Sequence, residues 1–176
     1  VNNISLSLLQ LIIDSIVSGG QTLSYSYNDS TIMITPPSAL NQNDTLNITV
    51  YYHGMPKQDQ SGWGGFYFSG NFAFNLGVGF AADPHVFGRV WFPCIDEFTD
   101  RASYDFHITT ASNSKAFCNG QLISSVTNPN GTITWNWRQT ETIPTYLACM
   151  AVAPYYTVQK TAAGVPVEIA ALPADT

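Results

Sequence analysis

The sequence predicts an all-β fold, a sandwich or saddle-shaped assembly of mostly antiparallel sheets with little helix. Short segments in which apolar and polar residues alternate recur along the chain, as expected for half-buried strands. Clusters of Asn, Asp, Gly and Pro separate these segments, as they do in turns. No segment carries a clear helical pattern, an internal repeat or a linker, so we expect one domain over residues 1–176.

The first third of the chain predicts a bulged strand followed by a hairpin. Apolar residues alternate, slip in phase at Leu8-Leu9 and then resume. A helix over residues 6–17 is the alternative because leucine favours helices, but the serines, isoleucines and valine there are weaker helix formers and favour a strand. Residues 23–27 and 31–35 alternate on either side of an Asn-Asp-Ser turn and predict the hairpin.

The middle of the chain predicts one clear strand and a long loop. Residues 46–52 alternate, and the predicted core face consists of Leu46, Ile48, Val50 and Tyr52. The segment 54–65, rich in Gly, Gln and Asp, predicts a flexible, exposed loop. Residues 66–68 and 72–74 are candidate short strands, whereas residues 76–87 have no clear period.

The segment 88–106 predicts a rigid corner between two strands. Pro93 fixes its own φ angle and pushes Phe92 towards extended geometry, so a buried strand should end there. Because their neighbours are apolar, we expect Phe92, Pro93 and Cys94 to be core residues. A second strand starts at Ser103, and the predicted inner face consists of Tyr104, Phe106 and Ile108.

The last third contains the strongest hairpin pattern. Residues 121–126 and 132–137 flank an Asn-Pro-Asn-Gly turn, in which Asn-Gly adopts left-handed positions with little strain. Trp135 and Trp137 share one face, so we expect at least one of them in the core. Further strands are expected at residues 144–154, as a buried strand, and 165–171.

The composition excludes several classes of function. The net charge is −6 with six Lys plus Arg, whereas nucleic-acid binding needs clustered cations. No segment is long and apolar enough to cross a bilayer, and the apolar start lacks a basic leader region. Charged residues make up 10% of the chain, against about 25% in a typical protein. Such a surface favours an extracytoplasmic location.

The metal-ligating residue types do not form a recognisable site. Cys94, Cys118 and Cys149 are odd in number and have no metal-ligand spacing. Apolar neighbours favour buried free thiols for Cys94 and Cys149, and one disulfide plus one free thiol is the alternative in a secreted protein. The three histidines, at positions 53, 85 and 107, are far apart, so solvated or turn-bonded side chains are favoured over a metal site.

The predicted corner carries a family resemblance. Residues 89–104 are similar to the stretch R-x-x-F-P-C-x-D-E-P-x-x-K-A-x-F in the N-terminal domain of the aminopeptidase N family of zinc metallopeptidases (gluzincins). The matching residues are Arg89, Phe92, Pro93, Cys94, Asp96, Glu97 and Ala102, and the chain departs from the pattern at Phe98, Arg101 and Tyr104. Residues 49–54 and 144–148 resemble the family's I-x-Y-x-G and S-T-Y-L-x-A, in the same order.

The resemblance implies a non-catalytic domain of a longer zinc aminopeptidase. In that family this domain packs against the catalytic domain and helps to shape the cleft in which a zinc-activated water removes N-terminal residues from peptides. The family's zinc motif H-E-x-x-H and its G-A-M-E-N motif do not occur here. We therefore expect no catalytic residue, metal or cofactor in this chain, with zinc in the absent catalytic domain.

The resemblance also implies one candidate substrate-binding residue, Asp83. Shortly before the arginine of the motif, the family carries a Gln or Glu that binds the substrate's α-amino group. An ungapped count back from Cys94 puts Pro84 at that place, and the neighbouring Asp83 has the right charge for an ammonium partner. A role in forming the turn before Pro84 is the alternative for Asp83.

Two other functions are weighed against this one. A stand-alone extracellular module that binds carbohydrate or protein would use exposed aromatic residues, and Trp63 in its glycine-rich loop is the strongest candidate. A small hydrolase would use Asp96 and Glu97 as paired carboxylates. Adjacent strand residues point to opposite faces, which favours a turn role in which Asp96 bonds the backbone and pairs with Arg89 or Arg101.

Overall fold

The computed structural model describes residues 1–175, which form fifteen strands and three short 3-10 helices. The strands are β1 (Ile4–Ser7), β2 (Ile12–Ser18), β3 (Gln21–Thr22), β4 (Tyr25–Tyr27), β5 (Thr31–Ile34), β6 (Thr49–His53), β7 (Gly64–Ser69), β8 (Phe72–Gly79), β9 (Ala102–Thr110), β10 (Lys115–Cys118), β11 (Gln121–Thr127), β12 (Ile133–Ile143), β13 (Met150–Ala153), β14 (Tyr156–Ala162) and β15 (Val165–Ala171). The 3-10 helices are Gly88–Val90, Thr145–Leu147 and Pro173–Asp175. The predicted all-β class with little helix is confirmed.

The chain divides into two compact units. One contains residues 1–66, 76–102 and 143–147, and the other contains residues 67–75, 103–142 and the chain from residue 148 onward. The expectation that residues 1–176 make one domain stays a prediction. No helix in residues 1–175 is long and apolar enough to span a membrane.

The first unit contains two three-stranded antiparallel sheets, ordered β1-β5-β4 and β3-β2-β6. The core cluster of this unit consists of Leu8, Leu11, Ile16, Leu23, Ile32 and Ile34. The predicted hairpin is confirmed as β4 and β5, and the predicted strand at residues 46–52 is confirmed in part as β6. The alternation of exposed and half-buried residues there agrees with the predicted core face.

The predicted strand over the first 17 residues is two strands, β1 and β2. The amide of Leu8 donates to the carbonyl of Ser30, and that of Leu9 donates to the carbonyl of Arg89. The ladder therefore breaks at the place where the hydrophobic pattern slips in phase, and Gln10 follows with a φ angle of 54°. A bulge does occur, but it lies inside β2, between Ile13 and Ser15.

The second unit contains the predicted hairpin of β11 and β12, which joins β9 in the order β11-β12-β9. Trp137 is buried and its indole N–H donates to the carbonyl of Ala116, which confirms a tryptophan in the core. Strand β9 has the predicted inner face, with Phe106 buried. Strands β10 and β14 were not expected from the sequence; β10 pairs with β13, in the order β10-β13-β8-β7, and β14 pairs with β15.

Strand β8 continues into residues 76–79, where the sequence shows no period. Its buried positions are Asn75, Gly77 and Gly79 rather than large apolar residues. A β-carbon at Gly77 would lie 2.0 Å from the carbonyl oxygen of Tyr146, so the backbone itself is the packing surface there. A hydrophobic pattern cannot report a strand that packs in this way.

Five further expectations need correction. No strand ends at Phe92, and the 3-10 helix Gly88–Val90 comes just before it instead. Phe92 and Pro93 are half-buried and are not core residues. The ring of Phe92 packs edge-on against that of Trp91 instead of being enclosed. The loop 54–65 is not exposed throughout, because its Asp59 is buried. The segment 144–154 is a strand only at Met150–Ala153 (β13), and the 3-10 helix Thr145–Leu147 precedes it. Cys149 is exposed.

Candidate functional site

The carboxylate of Asp96 is the centre of the corner. Its side chain is fully buried, and Oδ1 accepts hydrogen bonds from the amide of Gly88 at 3.2 Å and from the hydroxyl of Thr145 at 2.7 Å. Its Oδ2 accepts from the amide of Arg89 at 3.1 Å and from Nη1 of Arg89 at 3.0 Å. The two amides are the first ones of the 3-10 helix Gly88–Val90, so this carboxylate explains why the chain turns there instead of continuing as a strand.

Arg89 provides the opposite charge and fixes a second segment. Its Nη1 also donates to the carbonyl of Val86 at 2.9 Å, and its guanidinium lies 5.3 Å from the centre of the Phe87 ring. Most of the Arg89 side chain is shielded from water, its charge balances that of Asp96, and its Nη1 donates only within the fold. This arginine is therefore a structural residue of the corner.

Backbone bonds attach the corner to β1 and β6. Cys94 and Ser7 exchange two backbone hydrogen bonds, of 2.7 and 3.1 Å, and the hydroxyl of Tyr52 donates to the carbonyl of Trp91 at 2.9 Å. Burial, together with the nearby charge of Asp96, raises the pKa of the Cys94 thiol well above its usual range. Cys94 is therefore protonated at neutral pH and unsuited to act as a nucleophile.

Next to the corner lies an open cleft of about 710 Å³. It is lined by Ser5, Ser7, Ser30, Thr31, Asp83, Pro84, Arg89, Ile95, Asp96, Glu97, Phe98 and Thr99. The cleft thus brings together four residues singled out from the sequence, but not Phe92, Pro93 or Cys94. The four are Asp83, Arg89, Asp96 and Glu97. Asp83 and Glu97 are exposed, so their carboxylates face water, whereas the charge of Asp96 is already matched by Arg89.

Several residues of this region were missed from the sequence. Thr145 holds Asp96, and the only sequence signal for it was its place in the segment that resembles S-T-Y-L-x-A. The hydroxyl groups of Ser5, Ser7 and Ser30, from β1 and the β4–β5 turn, line one wall of the cleft. No pattern in the sequence indicated that these residues belong to the site. Those residues meet Asp83 only because distant parts of the chain fold together.

A second carboxylate, that of Asp59, holds the loop that carries Trp63. Its Oδ1 accepts from the amide and hydroxyl of Ser61 and from the amide of Ala81 at 3.0 Å. Burial opposes ionisation, but these hydrogen bonds outweigh it and hold the pKa of Asp59 below its usual value. Trp63 is 52% exposed and stacks on the exposed ring of Phe80, with ring centres 6.1 Å apart.

The histidines lie in separate places. His53 contacts Asp14 at 2.9 Å, the ring of His85 contacts the carbonyl of Gly79, and His107 contacts Asn136. In residues 1–175 no three His, Cys, Asp or Glu side chains are grouped so that they could hold a metal ion. The residues described here therefore do not fit a zinc centre.

Residues 12–147 match the family model of the peptidase M1 N-terminal domain. No curated protein sequence matches the chain. The segment that matches the family includes the whole corner, the residues of the cleft from Ser30 onward, and Thr145.

Solved structures of M1 zinc metallopeptidases have a similar fold. A mutant of the Deinococcus radiodurans enzyme is 22% identical, with a TM-score of 0.79, over 92% of this chain and 36% of that one. The same mutant bound to a Tyr-Ser-Ala substrate is 21% identical, with a TM-score of 0.80, over 96% and 39%. Legionella pneumophila aminopeptidase A in complex with aspartic acid is 18% identical, with a TM-score of 0.80, over 100% and 20%. The chain therefore spans well under half of each of these proteins.

We predict that Asp96→Asn destabilises the protein by about 3 kcal/mol, because it leaves the shielded Arg89 without its counter-charge and turns an amide NH2 towards backbone N–H donors. Asp105→Asn is the matched control, since Asp105 pairs with Arg138 at 2.6 Å on the surface, where both side chains are about half exposed. That change should destabilise the protein much less, because water screens the exposed pair. Chemical denaturation measures both, and equal losses would contradict the central role of Asp96.

Proposed function

Because the chain belongs to the peptidase M1 N-terminal domain family, we propose that it serves as the non-catalytic N-terminal domain of a longer zinc aminopeptidase. The observation that carries this proposal is the family match over residues 12–147, and the similar fold of solved M1 metallopeptidases supports it. The catalytic domain of the same polypeptide is the proposed partner, and peptides are the proposed substrates of the whole protein. Zinc would be held by that domain, since the residues described here offer it no site.

The proposed contribution of this chain to substrate binding is a negative charge at the cleft. Asp83 and Glu97 are exposed carboxylates on its wall, and the single arginine there is occupied by Asp96. The surplus charge is therefore negative and complements the ammonium group of a peptide N-terminus. Asp83 is the candidate to bind that group when the cleft faces the substrate in the full-length enzyme.

The proposed location is extracytoplasmic. Its support is the composition, in which only 10% of residues are charged. Fractionation of the source cells, followed by immunoblotting against this domain, tests the proposal. Recovery of the protein with a cytosolic marker would contradict it.

We expect the 176-residue chain by itself neither to cleave peptides nor to bind zinc tightly. The physical reason is that catalytic zinc needs three converging ligands and one open position, which the separated histidines do not provide. The measurement is aminopeptidase turnover and zinc content of the purified chain after dialysis against zinc, with a mock purification as control. Turnover that exceeds the control and disappears with a chelator would contradict the non-catalytic role.

In the full-length enzyme, Asp83→Asn should lower kcat/KM on peptides with a free N-terminus by at least about tenfold, the effect of losing one charge-assisted hydrogen bond. Glu97→Gln is the matched control, because it removes the other exposed carboxylate of the same cleft and should have a smaller effect. Any residual activity on N-acetylated peptides should not change in either variant. If Asp83→Asn lowers both activities equally, or neither, Asp83 is a turn residue only.

A further inference from the structure

Two of the three cysteines, Cys118 and Cys149, lie close together in the second unit. Cys118 is the last residue of β10 and stands opposite Met150 in the antiparallel pair with β13. Cys149 is the residue before Met150. Opposite residues in such a pair are about 5 Å apart between Cα atoms, and successive residues are about 4 Å apart. The two cysteine Cα atoms therefore lie within about 9 Å of each other, a range that includes the separations that a disulfide spans.

The side chains of the two cysteines share one cavity. In a regular ladder, neighbouring residues point to opposite faces, which would separate Cys149 from the face of Cys118. Cys149 precedes β13, however, and its amide donates to the side-chain carbonyl of Asn119 at 2.6 Å, so it does not follow the ladder. Both cysteines line the same cavity of about 340 Å³.

The electrostatics agree with this proximity. Burial, together with the smaller effect of the nearby Cys149, raises the pKa of Cys118 to about 12. Burial also raises the pKa of Cys149, while a hydrogen bond with the Asn119 side chain lowers it.

We propose that Cys118 and Cys149 are a dithiol that closes to an intramolecular disulfide when a small-molecule disulfide oxidant reaches the exposed Cys149. In the first exchange, the sulfur of Cys149 attacks the oxidant RSSR, forms a mixed disulfide and releases one RSH. In the second, the sulfur of Cys118 attacks the sulfur of Cys149, and the second RSH leaves. The protein loses two protons and two electrons, and RSSR takes them up to become two RSH.

Cys94 takes no part in this chemistry. It is buried in the first unit, next to Asp96, and its backbone is bonded to Ser7. A thiol so enclosed is not accessible to an oxidant, and it lies in the other unit from Cys118 and Cys149. The pairing of Cys118 with Cys149 does not depend on the proposed function.

The test is a peptide map of the protein after incubation with oxidised glutathione, trapping with iodoacetamide and digestion with trypsin. Cleavage at Lys115, Arg138 and Lys160 puts Cys118 in peptide 116–138 and Cys149 in peptide 139–160, whereas Cys94 lies in peptide 90–101. We expect peptides 116–138 and 139–160 to be recovered as one cross-linked species that separates on reduction. Cys94 should stay free until the protein is denatured.

Two variants make the result decisive. Cys94→Ser should leave the cross-link intact, and Cys118→Ser should convert Cys149 to its glutathione adduct. The proposal is overturned if wild-type Cys149 accumulates as the glutathione adduct beside a free Cys118. It is equally overturned if both thiols stay free or if either one pairs with Cys94.

Discussion

The buried charge of Asp96 is the interaction on which the first unit depends. A carboxylate out of water is costly unless its oxygens are fully used, and four donors from three residues surround this one. Those residues belong to the 3-10 helix before the corner and to the one that starts at Thr145, which lies far along the chain. One side chain therefore sets the position of two turns, and the cleft with Asp83 lies directly beside it.

Elements with a regular alternation of apolar residues could be predicted from the sequence, and others could not. The β4–β5 and β11–β12 hairpins and β9 follow from alternation and turn residues. The end of strand β8 could not be predicted, because Gly77 and Gly79 pack through their backbone. The 3-10 helix at the corner could not be predicted either, because it depends on the carboxylate of Asp96, several residues downstream. In both cases a tertiary contact, absent from any local pattern, decides the structure.

The candidate site, too, could be predicted only in part from the sequence. The motif residues Arg89 and Asp96 could be identified from their resemblance to a family, and the geometry gives each of them a structural task. The serine and threonine hydroxyls that share the cleft with Asp83 come from separate strands and turns, and polar residues of these types are common throughout the chain. Sequence alone can therefore locate the corner but cannot show which surface lies beside it.

The β14–β15 hairpin has a practical consequence for any work on the isolated chain. Its seven residue pairs form a two-stranded sheet, so each strand keeps one open edge, and nearly all of its residues are exposed, including Val165 and Ile169. Open edges flanked by apolar side chains are templates for pairing between molecules. We therefore expect the isolated chain to self-associate as its concentration rises. The substitution Ile169→Lys in the β14–β15 hairpin should reduce this association.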